Sequence, residues 1–250
     1  MNPSLAYVLG VLCGDASLLR KYIILETSSL EFANIFHQKL KNWTTITPSR
    51  YRDKKYFCVE LCSILACNFV EKLGTFNTYN WIVPNVIKNG ERNIKSVFLR
   101  GLFDSEGSVD FFKNTKRVTL RVVNKKGLKE TQNLLSTLNI RSTLGKSSNT
   151  FCLRICGLKN LKMFRKRVGF LLSHKSKKLK KLVDSYKNPE HSPDEYFYIM
   201  ELFRIGLDVK EISDFTNIPL QTIRSWKYKT RIPKSVRKIF KNCNKQVKVR

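Results

Sequence analysis

The chain has 250 residues, 42% of them hydrophobic, enough to bury a core in two or three small domains. Lys and Arg number 47 against 19 Asp and Glu, a formal charge of +28, and that excess calls for a polyanionic partner, with nucleic acid favoured over an anionic membrane through counterion release at phosphates. No apolar run approaches the ~18 residues of a spanning helix, so no membrane partner is expected, and seven cysteines without CxxC spacing beside three histidines argue against structural zinc and for reduced thiols in an intracellular protein.

In chain order, LAYVLGVLCGDASL (5–18) opens as an apolar helix in which Gly10 and Gly14, four apart, share a face. The short apolar start has no basic lead, so a signal peptide is not expected. KYIILETSS (21–29) is β-rich, and LEFANIFHQKLKNW (30–43) has helical spacing with Leu30, Ala33, Phe36, His37 and Leu40 on one side. ITPSRYRDKKYFCVELCS (46–63) reads as two strands about a polar turn at 53–55, and SILACNFVEKLG (63–74) as a helix stopped by Gly74.

The order then repeats with a period of about 90 residues. In VFLRGLFDSEGSV (97–109), Gly101 matches Gly10, Ser105 matches Gly14, Glu106 matches Asp15, Gly107 matches Ala16 and Ser108 matches Ser17. SVDFF and RVTLRVV are strands, KGLKETQNLLSTLN is a helix with Leu128, Leu134, Leu135 and Leu138 apolar, IRSTLGKSSNTFCLRI is a hairpin and LKNLKMFRKRVGF a helix. Each half, 1–95 and 96–188, is α-β-β-α-β-β-α.

From Ser192 the pattern changes. Ser192-Pro193-Asp194-Glu195 is a capping box with Pro at the first helical position. YFYIMELFRIG continues that helix, and VKEISDFTNIPLQTIRSWKYKTRIP reads helix, tight turn, helix around Ile212, Phe215, Ile218, Ile223 and Trp226. A small all-α domain is expected over 192–240, followed by a basic tail over 241–250 that binds phosphate non-specifically. Residues 221–250 carry eleven Lys and Arg and no acid.

The paired acids carry the chemistry. If the two motif stretches are helices packed on each other through small residues, Asp15 and Glu106 come together at their C-terminal ends. A carboxylate there opposes the helix dipole by ~0.3–1 kcal/mol, and two like charges at short range need a cation between them. Divalent metal resolves the conflict and can activate water for phosphodiester hydrolysis.

VLGVLCGDA and LRGLFDSEG resemble the paired signatures of LAGLIDADG homing endonucleases in their single-chain, two-motif form. The resemblance covers residues 5–185, and WIVPNVIKNGERNIKSVFLRGLFDSEG is similar to the family's run into the second motif. It implies an α/β (α+β) fold of two pseudo-symmetric lobes with the motif helices at their interface, each sheet forming half of a DNA-binding β-saddle. It implies double-strand cleavage at a long site by a monomer on double-stranded DNA. Mg²⁺, with Mn²⁺ an alternative, would lie between Asp15 and Glu106, with Ala16 and Gly107 in the metal-binding set. It also implies a lysine near the cleavage site, Lys175 first and Lys177 next. Ala16 stands where glycine is usual, tolerable if the helix simply continues, and Cys13 where many members have an acid.

Strand alternation sorts the surface. Phe57, Val59, Leu61, Val118, Leu120, Val122, Phe151, Leu153 and Ile155 face the core. Lys55, Cys58, Glu60, Arg117, Thr119, Arg121 and Arg154 tend toward DNA, with Arg50, Arg52 and Lys146 further candidates. The C-terminal module resembles a helix-turn-helix, whose second helix would present Gln221, Thr222, Arg224, Ser225 and Lys227 to the major groove; its bland counterpart is a helical cap. Two other readings stand beside the endonuclease. One is a non-catalytic DNA-binding regulator, of the kind that joins a degenerate core of this family to a helix-turn-helix and typically loses the motif acids. The other is a maturase bound to its own intron RNA. With the first motif five residues in, an upstream splicing domain is not expected. The expected location is wherever the target DNA resides, cytoplasm, nucleoid or organelle.

Overall fold

The structure is a computed structural model that describes residues 1–112, 115–147, 149–186, 191–233, 235–237 and 239–240. It divides into two compact units, Met1–Tyr186 and Lys187–Arg250.

The first unit is built from its first helix. In α1 (Pro3–Leu12) every residue from Ser4 to Leu12 is buried, and Asn2 caps it by accepting the Ser4 N–H at 2.7 Å. A helix apolar all round must lie inside the molecule. Then come β1 (Ala16–Leu18), β2 (Tyr22–Thr27), α2 (Leu30–Trp43), β3 (Ser49–Asp53), β4 (Tyr56–Cys62), α3 (Ile64–Leu73) and the short α4 (Asn85–Lys88). The second half repeats this as α5 (Arg92–Glu106), β5 (Gly107–Phe112), β6 (Thr115–Val122), α6 (Lys125–Thr137), β7 (Thr143–Ser147), β8 (Thr150–Cys156), α7 (Leu158–Arg167) and α8 (Ser173–Asp184). Each half holds a four-stranded antiparallel sheet, ordered β1-β2-β4-β3 and β5-β6-β8-β7. Ser29, Ser63 and Asn124 cap α2, α3 and α6 by accepting a backbone N–H three residues on.

Gly10 and Gly101 set the distance between α1 and α5. A Cβ on Gly10 would lie 2.1 Å from the Phe98 carbonyl oxygen, and one on Gly101 2.3 Å from that of Tyr7. The two clashes are equivalent under a pseudo-twofold rotation, since Phe98 is the repeat counterpart of Tyr7. A second reciprocal pair ties the lobes together. Glu130 on α6 accepts the Val83 N–H at 2.7 Å and pairs with Lys88 at 2.8 Å, while Glu31 on α2 accepts the Ser173 N–H at 2.9 Å and its hydroxyl at 3.1 Å.

Three details differ from the sequence reading. The first motif helix stops at Leu12, so Asp15 lies beyond its end and Ala16 already pairs with Leu25 in β1. Alanine is accommodated there because extended backbone makes no demand for glycine, not because a helix continues. Leu30 is 48% exposed, and α2 turns Phe32, Ala33, Phe36 and Leu40 inward instead. α4 and α8, which add a helix to the expected α-β-β-α-β-β-α of each half, were not anticipated.

The second unit contains α9 (Pro193–Arg204), α10 (Val209–Thr216) and α11 (Leu220–Lys227). Its core is Tyr196, Ile199, Leu202, Ile212, Ile218, Ile223, Trp226 and Val236. Capping boxes at Ser192/Glu195 and Asp208/Glu211 start α9 and α10, and Asn217, left-handed at φ 55°, ends α10. Phe215, expected in this core, is 70% exposed. The inward stripe of α10 runs through Val209, Ile212 and Thr216, and Phe215 lies roughly a third of a turn off it. The tail over 241–250 lies outside the described residues.

Gly10→Ala should force α1 and α5 apart and cost about 1–3 kcal/mol or more, read as a lowered denaturation midpoint; an unchanged midpoint would show that the glycine contact does not set the interface.

Candidate active site

The site forms where α1 and α5 end. A Cβ on Gly14 would fall 2.6 Å from Ser105 Cβ and 3.1 Å from Glu106 Cγ, so the chain entering Asp15 lies directly against the last turn of α5. Burial, followed by the charge of Asp15, pushes the Glu106 carboxyl up to about 7, with Lys175 opposing. Burial likewise raises Asp15, again against Lys175, although Asp15 keeps an exposed edge. The two expected acids are therefore brought together, close enough for Glu106 to sense the charge of Asp15.

Between the two lysine candidates, the structure places Lys175 at the site. Its ammonium donates to the carbonyl oxygens of Phe103, Asp104 and Ser105 at 3.3, 2.5 and 3.2 Å. It thereby satisfies orphan acceptors of the last turn of α5 and meets the negative end of the helix dipole. Burial lowers its pKa, while Asp104, Asp15 and Glu106 pull it back up. Lys177 is exposed on α8.

Asp104 was not singled out from sequence. It is 1% exposed and accepts the Tyr7 hydroxyl at 2.8 Å and the Leu171 and Leu172 N–H groups at 3.1 and 3.5 Å. Burial raises its pKa against those donors, and burial, then Asp104, raises Tyr7. Asp104 thus ties α1 and α5 to the segment that leads into α8 and Lys175. Its repeat counterpart is the buried Cys13, and that of Tyr7 is Phe98: the symmetry-related position replaces the polar pair with an apolar one.

The donor set suits an oxygen-liking divalent ion. Among the described residues no three His, Cys, Asp or Glu converge, so the chain offers two carboxylates and leaves the remaining ligands to water and phosphate, as Mg²⁺ tolerates. Ala16 and Gly107 adjoin the acids on β1 and β5 and are buried. Gly107 is required by space, since a Cβ would meet the Phe103 carbonyl oxygen at 2.4 Å.

Ladder register fixes which side chains share the outer face of each sheet, opposite the helices. In the second lobe Arg117 pairs with Asp110 and Cys156, Thr119 with Ser108 and Arg154, and Arg121 with Cys152, all on that face. Arg117, Arg121 and Arg154 are partly or fully exposed there. Thr119 is not: it is completely buried, with its hydroxyl 2.6 Å from Ser108 Oγ beneath Asp110. Arg50, Arg52 and Lys146 belong to the other face, because they pair with the inward Val59, Phe57 and Phe151. Arg52 accordingly lies over the Phe57 ring at 5.6 Å. Lys55 sits exposed in the hairpin turn beyond the ladder, and Cys58, on the outer face, is buried. The outward residues of β3 are Ser49, Tyr51 and Asp53, paired with Glu60, Cys58 and Tyr56 and not anticipated as such. In the helical unit Gln221, Arg224 and Lys227 are exposed, whereas Thr222 and Ser225 are half-buried and joined by a 2.7 Å hydrogen bond. Lys227 lies 5.1 Å over the Phe203 ring.

Comparison with known proteins places this geometry. Residues 93–169 match the family model of the LAGLIDADG-like domain. Glutamine–fructose-6-phosphate aminotransferase of Methanocaldococcus jannaschii is 26% identical over 90% of this chain, and a DNA polymerase of Thermococcus sp. 28% identical over 69% of it. The chain spans 20% and 11% of the length of those two relatives. Homing endonuclease I-ApeI of Aeropyrum pernix is 32% identical, over 50% of this chain and 57% of that protein. Among solved structures, homing endonuclease I-DmoI in complex with DNA and Mn superposes with a TM-score of 0.51 at 17% identity, covering 67% of this chain and 97% of that one. Full-length DUF199/WhiA from Thermatoga maritima gives a TM-score of 0.57 at 15% identity, covering 90% and 88%. The chain carries a LAGLIDADG-like domain, and its fold is that of the single-chain homing endonucleases.

Glu106 holds its proton more tightly when folded than at its ordinary value of 4.5, so its contribution to stability is present below about 4.5 and is lost as pH rises through about 7. Without metal, Glu106→Gln should therefore melt a few degrees above the wild type at pH 8 and by a smaller margin at pH 5; an equal difference at both pH values would mean that the carboxylate is not the source.

Proposed function

We propose that the chain is a site-specific, divalent-metal-dependent DNA endonuclease of the homing type that cuts both strands of a long duplex site as a monomer, wherever that DNA resides. The observation that carries it is the meeting of Asp15 and Glu106 at a pseudo-twofold axis. A carboxyl whose pKa is raised by burial and by the charge of a second carboxylate is a poor structural element and a good host for a cation. Each comes from one lobe, so each addresses one strand of a duplex laid across the axis. One chain supplies both, as a monomer requires.

Mg²⁺ or Mn²⁺ held there would lower the pKa of a bound water and offset charge on the leaving oxygen. Asp15 and Glu106 hold the position, with Ala16 and Gly107 flanking them. Lys175 neutralises the end of α5 and keeps Glu106 from taking up a proton too readily. Asp104 and Tyr7 fix the segment from which α8 and Lys175 start. Arg117, Arg121 and Arg154 meet base edges and phosphates of the duplex. The relatives support mobility: a segment that forms a fifth of an aminotransferase and about a tenth of a DNA polymerase recurs independently of what those proteins do, as an invading module would.

α10 and α11, joined through Asn217–Pro219, would serve as a helix-turn-helix, with Gln221 and Arg224 toward DNA and Lys227, Thr222 and Ser225 nearer their own core. A chain ended after Tyr186 should keep its cleavage site but bind more weakly and with a shallower salt dependence, measured as log Kd against log salt; an unchanged slope would make the helical unit a cap.

Asp15→Asn and Glu106→Gln should each abolish double-strand cleavage in Mg²⁺, by at least about a hundredfold, while leaving DNA affinity in Ca²⁺ within a few-fold. Cleavage of a randomised-site plasmid library by the wild type and both variants measures this. Specific binding without cutting by the wild type in any metal would favour the non-catalytic regulator instead, a reading for which the shared architecture across 90% of the chain with DUF199/WhiA is the supporting observation.

A further inference from the structure

The two sheets are superposable row for row, and their outer faces carry opposite charge. In the first lobe one row runs Ser17, Ile24, Glu60, Ser49; its equivalent in the second runs Ser108, Thr119, Arg154, Thr143. A second row runs Glu26, Cys58, Tyr51 against Arg121, Cys152, Gly145, and a third has Tyr22, Cys62 against Arg117, Cys156. Glu60 thus stands where the other lobe has Arg154, Glu26 where it has Arg121, and Tyr22 where it has Arg117. Cys58 and Cys152 keep their places, which confirms the alignment.

The arginines are prepared for a ligand. Arg117 gives its Nε to Asp110 at 2.9 Å, which leaves its terminal N–H groups free to point away. Arg121 stands 3.6 Å from the same carboxylate. Burial alone would raise Asp110, but hydrogen bonding to Arg117 and the charge of Arg121 hold it below the usual carboxylate range. Arg154 lies across Gly145, where a Cβ would meet its guanidinium at 2.6 Å, and its Nε is shielded from solvent without a hydrogen-bond partner. On the first lobe Glu26 and Glu60 form no ion pair among the described residues.

We infer that the two lobes read half-sites of opposite chemistry: the second lobe a guanine-bearing half through Arg117, Arg121 and Arg154, the first a half whose bases offer amino groups and methyls. This rests on the endonuclease reading. Arginine forks onto guanine O6 and N7, whereas a carboxylate accepts from the cytosine amino group and is repelled by guanine's acceptors. Tyr22, Ile24 and Tyr51 add apolar surface for thymine methyls. Affinity is divided unequally as well, because phosphate attraction falls to the second lobe and the acids of the first repel the backbone.

The test is selection of bound sites from randomised duplexes in Ca²⁺, with the intact chain and three variants: Arg121→Gln, Arg154→Gln and the double Glu26→Gln/Glu60→Gln. Arg121 is exposed, so that variant keeps the fold, and melting curves check all three. The expected result is guanine preference concentrated in one half. Each arginine variant should lower affinity about tenfold and relax positions in that half alone. The double glutamate variant should relax the opposite half while binding DNA equally well or more tightly. Guanine enriched equally in both halves, or glutamine at 26 and 60 weakening binding to every sequence alike, would overturn the inference. If no motif is enriched at all, the endonuclease reading fails first, and it takes the inference with it.

Discussion

The backbone contact between α1 and α5 is the constraint from which the rest of the first unit follows. Two helices meeting through Gly10 and Gly101 bring their C-terminal ends to one point, and both ends carry an acid. Glu106, in the last turn of α5, opposes its helix dipole by ~0.3–1 kcal/mol, and burial together with the charge of Asp15 lifts its pKa to about 7. Lys175 offsets part of this at the end of α5, where three carbonyls accept its protons; hydrogen bonds to a charged group stabilise by roughly 1.5–3 kcal/mol. Among the described residues no cation is bonded in the same way to the end of α1. The negative pole is thus left partly uncompensated, which is a cost to stability and an opening for a cation.

The lobes are locked by devices that occur in pairs, and the exceptions are informative. Glu130 and Glu31 are used reciprocally, each capturing the N–H of a segment arriving from the other half. Tyr7 and Asp104, by contrast, have Phe98 and Cys13 as counterparts. A buried carboxylate without donors costs several kcal/mol, and a buried hydroxyl without an acceptor costs less but still more than an apolar ring. Such a pair is retained whole or replaced whole. It is kept at the position where Asp104 must also hold the Leu171–Leu172 segment and, beyond it, Lys175.

Most of the backbone was legible in the sequence because the signals were local. Ser192 and Glu195 mark a helix start, Gly74 marks an end, and the repeated glycines and acids align the halves. What failed depended on partners distant in the chain. Arg50, Arg52 and Lys146 were placed toward DNA from charge, yet the face of an edge strand is decided by the hairpin register that pairs them with Val59, Phe57 and Phe151. Alternation put Thr119 on the correct face but could not tell that Asp110 and Ser108 close over it. Phe215 looked like core by composition; the phase of α10 turns it out. The acids were found because they repeat, whereas Asp104 escaped notice because its counterpart is a cysteine. Lys175 could be ranked above Lys177 but not placed, since three carbonyls of a helix about seventy residues earlier determine where it sits.

The opposite charge of two congruent sheets follows from having both halves on one chain. A symmetric dimer would place every outward residue twice, so Glu60 could not face one half-site while Arg154 faced the other. Here each position occurs once, and the conserved backbone frame, with Cys58 and Cys152 at equivalent points, leaves the outward rows free to diverge. The inward rows diverge little, since Leu25, Val59 and Leu61 must fill the same space as Leu120, Leu153 and Ile155. Packing therefore preserves the symmetry that brings Asp15 to Glu106, and the outward rows, free of that constraint, depart from it.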